Sequence, residues 1–101
     1  MADLYTVNKS PFEKNSLEAV IKFSGEGAAI LMMEDGVYGA TKGTTAESMI
    51  TGAGDKKFYA LKSDLMARGI AEDRVIDGIE LVDYAGFVDL VENTDKVQAW
   101  L

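Results

Sequence analysis

The residue types most often used for catalysis are missing from this sequence of 101 residues, which holds neither cysteine nor histidine. Nucleophilic triads of the Ser-His or Cys-His kind need an imidazole base. Zinc sites rely chiefly on thiolates and imidazoles. The phosphate-binding patterns GxxxxGK[ST] and GxGxxG are absent as well. We therefore predict no catalytic residue, no metal site and no cofactor, and a chain that is not an enzyme on its own.

Two adjacent carboxylates are the best remaining candidates for chemistry. Glu34 and Asp35 directly follow a predicted buried strand, where open parallel sheets form their ligand crevice, and carboxylates suit Mg²⁺. Such a pocket also needs acids at a neighbouring strand end, whereas the first predicted strand is followed by Asn8, Lys9 and Ser10. The alternative is a solvated turn, one version of which has a Lys9–Glu34 or Lys9–Asp35 ion pair. An enzyme that works through carboxylates alone would need two acids in one cleft, and the sequence shows no second acid that must converge on Glu34 and Asp35.

Aromatic side chains form the second group of candidates. Tyr38 follows the two acids, and Tyr84 opens the last predicted helix; both are read as packing residues. Trp100 near the end of the chain either caps the protein's own sheet or inserts into a partner. The candidate binding or interface residues are therefore Asn8, Lys9, Ser10, Glu34, Asp35, Tyr38 and Trp100.

Short apolar runs predict the strands that would position these residues. Residues 28–33 are apolar throughout, as expected for a strand covered by helices on both faces. The other predicted strands are residues 4–7, 57–61 and 75–82, the last with a turn at 77–78, and residues 96–101 form a short strand or a tail.

Capping signals predict the helices between the strands. Ser10 as N-cap, Pro11 at the first helical position and Glu13 three residues after Ser10 predict a helix that ends at residues 25–27. Thr44 or Thr45 is expected to cap a helix over 46–51. Ser63 is expected to cap one that runs through Arg68 to Gly69 at C′. Residues 84–92 form the last helix, and 37–43 a helical turn and a loop. This alternation predicts one α/β domain over residues 1–101, with three α/β/α layers and a mainly parallel five-stranded sheet.

The net charge of −7 and the pI near 4.4 argue against nucleic-acid binding, which would need a basic face. The acidity fits docking against a more basic protein surface. The apolar run 28–33 is too short to cross a bilayer, and the first residues lack the basic and apolar regions of a signal peptide. We expect a cytoplasmic protein that binds no membrane.

Several segments together resemble one family, the DsrH/TusB subunits of the DsrEFH and TusBCD sulfur-relay complexes. These segments are residues 6–12 (TVNKSPF), 26–27 (EG), 29–31 (AIL), 34–38 (EDGVY), 59–61 (YAL), 64–65 (DL), 67–69 (ARG), 82–90 (VDYAGFVDL) and 97–101 (VQAWL). The resemblance covers nearly the whole chain. It implies a flavodoxin-like α/β/α shape and a cytoplasmic heterohexamer with two copies each of three related small subunits.

The resemblance also locates the missing thiol. Such complexes pass sulfane sulfur as a cysteine persulfide, and the principal acceptor cysteine lies on the DsrE/TusD-like subunit. Some DsrH-type chains carry a cysteine of their own in the first helix, and by alignment Val20 stands there in this sequence. Because only a thiolate offers the needed nucleophile, this chain is expected to be a structural or docking subunit.

Two destinations for the sulfur remain open. Residues 8–12, 83–87 and 98–101 resemble the subunits that serve intracellular sulfur oxidation, and this is the branch that we expect. The absent thiol favours the TusB type, which feeds 2-thiolation of the wobble uridine in tRNA. A free-standing domain that binds a small ligand or Mg²⁺ through Glu34 and Asp35 is a further alternative.

Overall fold

The computed structural model describes residues 3–100, which form one five-stranded sheet with helices on its faces. The strands, in chain order β1 to β5, are Leu4–Val7, Ala29–Met32, Lys57–Leu61, Glu80–Val82 and Val97–Trp100. The helices, α1 to α4, are Ser16–Phe23, Thr45–Thr51, Lys62–Ala67 and Tyr84–Glu92. Two 3₁₀ helices span Glu34–Ala40 and Glu72–Arg74. All paired strands are parallel, in the order β4-β3-β2-β1-β5, which confirms the predicted α/β class.

The sheet buries its two faces against different elements, because successive residues of a strand point to opposite sides. On the first face, Val7, Ile30 and Ala60 pack with residues from α1, α2, α3 and the longer 3₁₀ helix. On the second face, a smaller cluster joins buried strand residues to partly buried side chains of α4. β1 and β2 are buried at every position. For β2, the uninterrupted apolar run at 28–33 predicted this burial.

The two helix layers are unequal. The connections from β1 through β4 move step by step across the sheet and supply the helices of the first face. The connection from β4 to β5 must return to the opposite edge of the sheet, and α4 is its only helix. α4 therefore covers the second face alone, and none of its residues is fully buried.

The first helix begins later than Ser10, Pro11 and Glu13 predicted. Ser10 does start a turn, since its carbonyl oxygen accepts from the amides of Glu13 and Lys14 at 3.1 and 3.0 Å. That turn does not continue, because residues 12–15 are all exposed, Phe12 included, so no buried apolar side chain holds it on the sheet. The helix starts at Ser16, where buried Leu17 and Val20 return to helical spacing, so the predicted helix start is wrong.

Two further boundaries differ from prediction. Ser63 lies inside α3, whose N-cap is Leu61, because the helix follows β3 without an intervening turn. Val75 and Ile76 lie outside β4 and instead bind the end of the longer 3₁₀ helix, where the Ile76 amide donates to the Ala40 carbonyl at 2.8 Å. Gly69 has the positive φ of 70° expected at C′. The helix over 84–92 and a strand in the final segment are confirmed, although Leu101 lies outside the described residues.

None of the helices within residues 3–100 is both long and apolar enough to cross a membrane.

Candidate functional site

The carboxyl ends of β1, β2 and β3 lie side by side and bring together polar residues that are distant in sequence. The amide of Glu34, directly after β2, donates to Asp64 Oδ2 at 2.7 Å. Asp64 therefore caps the 3₁₀ helix that Glu34 opens. Glu34 has a φ of +50°, a backbone conformation that residues other than glycine rarely adopt. The short Asp64 bond helps to hold it there.

Arg68 joins the acids of this edge. Its Nε and Nη2 donate to Asp35 Oδ1 at 3.0 and 2.9 Å. Its Nη1 donates to the Asp64 carbonyl oxygen at 3.2 Å and lies 3.8 Å from Asp64 Oδ1. A half-buried guanidinium thus balances the two carboxylates. A Mg²⁺ ion at the same place would have to displace it, and within residues 3–100 no group of three or more potential metal-ligating side chains is found.

Asn8 and Gly36 complete the edge. Asn8 Nδ2 lies 3.4 Å from Glu34 Oε1, while the buried Oδ1 of Asn8 has no hydrogen-bond partner among the described residues. Gly36 faces β1 so closely that an added Cβ would overlap with the Val7 carbonyl oxygen. We call this group of contacts, made by Asn8, Glu34, Asp35, Asp64 and Arg68, the polar seam. It ties the longer 3₁₀ helix to the sheet.

The predicted ion pairs of Lys9 are wrong. Asp35 binds Arg68, Glu34 binds Asn8, and Lys9 is exposed, with no ion pair to either acid in the described part of the chain. The reason is strand order: α3 follows β3, the other neighbour of β2, and presents its guanidinium to the acids.

The remaining predicted residues lie apart from the seam. Ser10 is buried, and its Oγ accepts from the Phe12 amide at 3.2 Å. Tyr38 is exposed on the 3₁₀ helix. Trp100 packs against the first-face core, with its ring 5.4 Å from that of Phe23 in α1.

Sequence reasoning missed Asp64 and Arg68. Their spacing of four residues on a helix that directly follows a strand was the available signal, because that spacing places both on one helix face. This spacing predicts a contact with Glu34 and Asp35 only when β3 is known to lie next to β2 in the sheet.

Val20 lies in the core of the first face and has a relative exposure of 0%. Its neighbours on α1 include Leu17, which is also buried. A side chain at this position is therefore surrounded by apolar groups and is not exposed to solvent.

Tyr59 occupies a groove on the second face, beside α4 and close to Glu80 and Leu90. Partial burial, and secondarily the charge of Glu80, raise the pKa of the Tyr59 phenol above its usual 10.0. The phenol is therefore a neutral hydrogen-bonding group at ordinary pH.

Comparisons with known proteins agree with this structure. Residues 9–97 match the family model described as DsrH like protein. A protein named TusB from Photorhabdus laumondii is 35% identical over 97 residues, which cover 96% of this chain and 99% of that protein. The TusB of Escherichia coli K12 is 33% identical with the same coverage.

Solved structures show the same fold. The crystal structure of the ychN protein from E. coli superposes with a TM-score of 0.79 at 20% identity, over 98% of this chain and 99% of that one. A Thermotoga maritima protein solved by NMR gives a TM-score of 0.64 at 25% identity, over 89% and 91% of the two chains. Fold and sequence together define a small parallel α/β subunit without a thiol. The chain belongs to the DsrH-like family, and this membership supports a role as a sulfur-relay subunit.

Proposed function

We propose that this chain is a non-catalytic structural and docking subunit of a cytoplasmic sulfurtransferase heterohexamer. Its partners would be two homologous small subunits, one DsrE/TusD-like and one DsrF/TusC-like, and the complex would load a downstream sulfur-carrier protein. The observation that carries the proposal is the absence of cysteine from the sequence. Val20, which we place where some relatives have a cysteine, is fully buried. The persulfide is then carried by another subunit.

The contacts of the polar seam support a structural role for the chain. Arg68 balances Asp35 and Asp64, and Asp64 fixes the amide of Glu34. These groups satisfy one another, so they hold the 3₁₀ helix in place and leave little capacity for a ligand. In the proposed complex the seam keeps the carboxyl edge of the sheet rigid.

Assembly is the property to test first. The chain should be produced alone and together with the two homologous subunits of the same organism, and each sample analysed by size-exclusion chromatography with light scattering. The proposal predicts co-elution of all three chains at a mass near that of two copies of each. A monomer of 10.9 kDa that stays separate from both subunits would refute it.

Two destinations for the sulfur have separate support. Residues 8–12, 83–87 and 98–101 favour intracellular sulfur oxidation. The absent thiol and the TusB name of the curated relatives favour relay to tRNA. Deleting the gene should slow consumption of stored sulfur in the first case. In the second it should lower the 2-thiouridine content of tRNA, measured by mass spectrometry of nucleosides.

A free-standing Mg²⁺-binding domain is the competing proposal. Arg68 disfavours it, because the guanidinium already balances the charge of Asp35. Calorimetric titration with Mg²⁺ separates the two proposals: heat above dilution that disappears in Asp35→Asn would support the ion site.

A further inference from the structure

α4 has apolar residues on its outer side as well as on the side that packs against the sheet. Its sequence, YAGFVDLVE, has charged residues only at Asp89 and Glu92. Phe87 and Leu90 face the sheet and pack on the second-face cluster. A helix that is apolar on both sides is normally covered on both sides, yet no residue of α4 is fully buried.

The outer side of α4 presents a continuous apolar stripe. Tyr84, Val88 and Val91 recur at spacings of four and three residues, so they lie on one helix face. Their relative exposures are 62%, 51% and 38%. α1 behaves differently: its solvent side carries Glu18 and Lys22, which form an i,i+4 ion pair at 3.9 Å. The stripe therefore distinguishes α4 from α1.

The stripe lies in a strongly acidic part of the chain. Residues 75–95 contain six aspartates and glutamates and no lysine or arginine. Asp83, Asp89 and Glu92, at the start of α4 or within it, are exposed. An occupant of the stripe must therefore tolerate, or neutralise, a rim of negative charge.

We propose that the outer face of α4 is the docking surface for one of the homologous small subunits, through an apolar patch rimmed by lysine or arginine. This proposal rests on the proposed function, which it deepens by naming the surface. A second copy of this chain is a poorer occupant, because a two-fold contact would set the acidic rim against itself. A stable interface buries about 800 Å² per partner, so the stripe forms the centre of a larger contact.

The first test uses Val88→Glu, with Met66→Glu as the matched control. Met66 is 70% exposed on α3, on the other face of the sheet. Each variant is titrated against the two homologous subunits by calorimetry, after circular dichroism has established that it unfolds at the wild-type temperature. Val88→Glu should weaken assembly at least tenfold, and Met66→Glu should bind like the wild type. Equal binding by all three proteins would overturn the docking surface.

The second test addresses the basic rim. Glu92 is exposed and adjoins Val88 on the helix surface, so Glu92→Lys should weaken assembly about tenfold and make it less sensitive to salt. Glu13→Lys is the control, because Glu13 is also exposed and lies before α1, outside α4. It should leave the affinity and its salt dependence unchanged. A carbodiimide cross-linker should join Glu92 to a lysine of the partner. Tighter binding by Glu92→Lys would contradict the proposal that lysine or arginine rims the partner's patch.

The outcomes separate the two proposals. If the wild-type chain ignores both subunits, the proposed function fails. If it assembles and Val88→Glu assembles equally well, only the α4 surface fails. A homo-oligomer of the chain alone that Val88→Glu dissociates would overturn the homologous subunit as occupant in favour of a second copy.

Discussion

The guanidinium of Arg68 meets the carboxylate of Asp35 at 2.9 and 3.0 Å and thereby ties α3 to the 3₁₀ helix that follows β2. The two residues are separated by 33 positions, so this contact exists only in the folded chain. It is also the reason that the carboxylates after β2 form a structural seam. We expect its main effect to be on stability and not on ligand binding.

Replacing Arg68 tests the seam. Arg68→Ala should lower the free energy of unfolding by about 1 kcal/mol, since a partly exposed charged pair contributes modestly but its loss leaves two acids facing each other. Arg68→Lys should recover only part of that value, because an ammonium lacks the planar fork. Urea denaturation measures both variants. Arg74→Ala, at an exposed position, is the control, and a loss equal to that of Arg68→Ala would contradict the interpretation.

Gly36 should tolerate no side chain. In Gly36→Ala the new Cβ overlaps with the Val7 carbonyl oxygen, and backbone atoms of a central strand yield little. We expect a loss of about 3 kcal/mol or more, as for severe overpacking. Gly25→Ala has open space around it and should change stability by less than about 1 kcal/mol. Similar unfolding midpoints for the two variants would show that the 3₁₀ helix moves away freely.

Tyr59 should make stability depend on alkaline pH. Its pKa is raised in the folded protein, chiefly by burial and then by Glu80. The unfolded chain then releases the phenolic proton at a lower pH than the folded one, so stability is complete below pH 10 and falls as pH rises through the raised pKa. Urea denaturation from pH 8 upward should show a smaller fall in Tyr59→Phe. Identical pH profiles for wild type and variant would exclude this cause.

A thiol placed at residue 20 should be unreactive. Val20→Cys keeps nearly the same volume and should cost less than about 1.5 kcal/mol. Because the site is fully buried, a thiol reagent should label it only through opening of the fold. The rate should be about a thousandfold below that of the exposed Ser63→Cys. Comparable labelling rates would mean that position 20 is accessible and suited to carry sulfur.

The sheet was the predictable part of this structure. Residues 28–33 are apolar without alternation, which is the pattern expected of a strand buried on both faces. The start of α1 was not predictable, because Ser10 and Pro11 give a genuine local helix signal that the fold uses for a single turn. Tertiary packing of Leu17 and Val20 decided where the helix begins.

Only one side of the polar seam, the acids after β2, could be predicted from the sequence. Glu34 and Asp35 stood out because they follow a buried strand. Their partners depend on which strands are neighbours, and the sequence does not state that order. β3 lies next to β2, and this adjacency delivers Arg68 and Asp64. Strand order also explains why α4 covers the second face alone: the chain must return from β4 to the opposite edge of the sheet. The sequence does not state that order either.

The most direct test of the central claim is a reconstituted sulfur transfer. Labelled sulfane sulfur on the persulfide of the DsrE/TusD-like subunit is passed to the sulfur-carrier protein, with this chain present or omitted. We predict that omission slows transfer at least tenfold and that the wild-type chain restores it while carrying no label itself. Undiminished transfer without this chain would contradict its role as a structural and docking subunit.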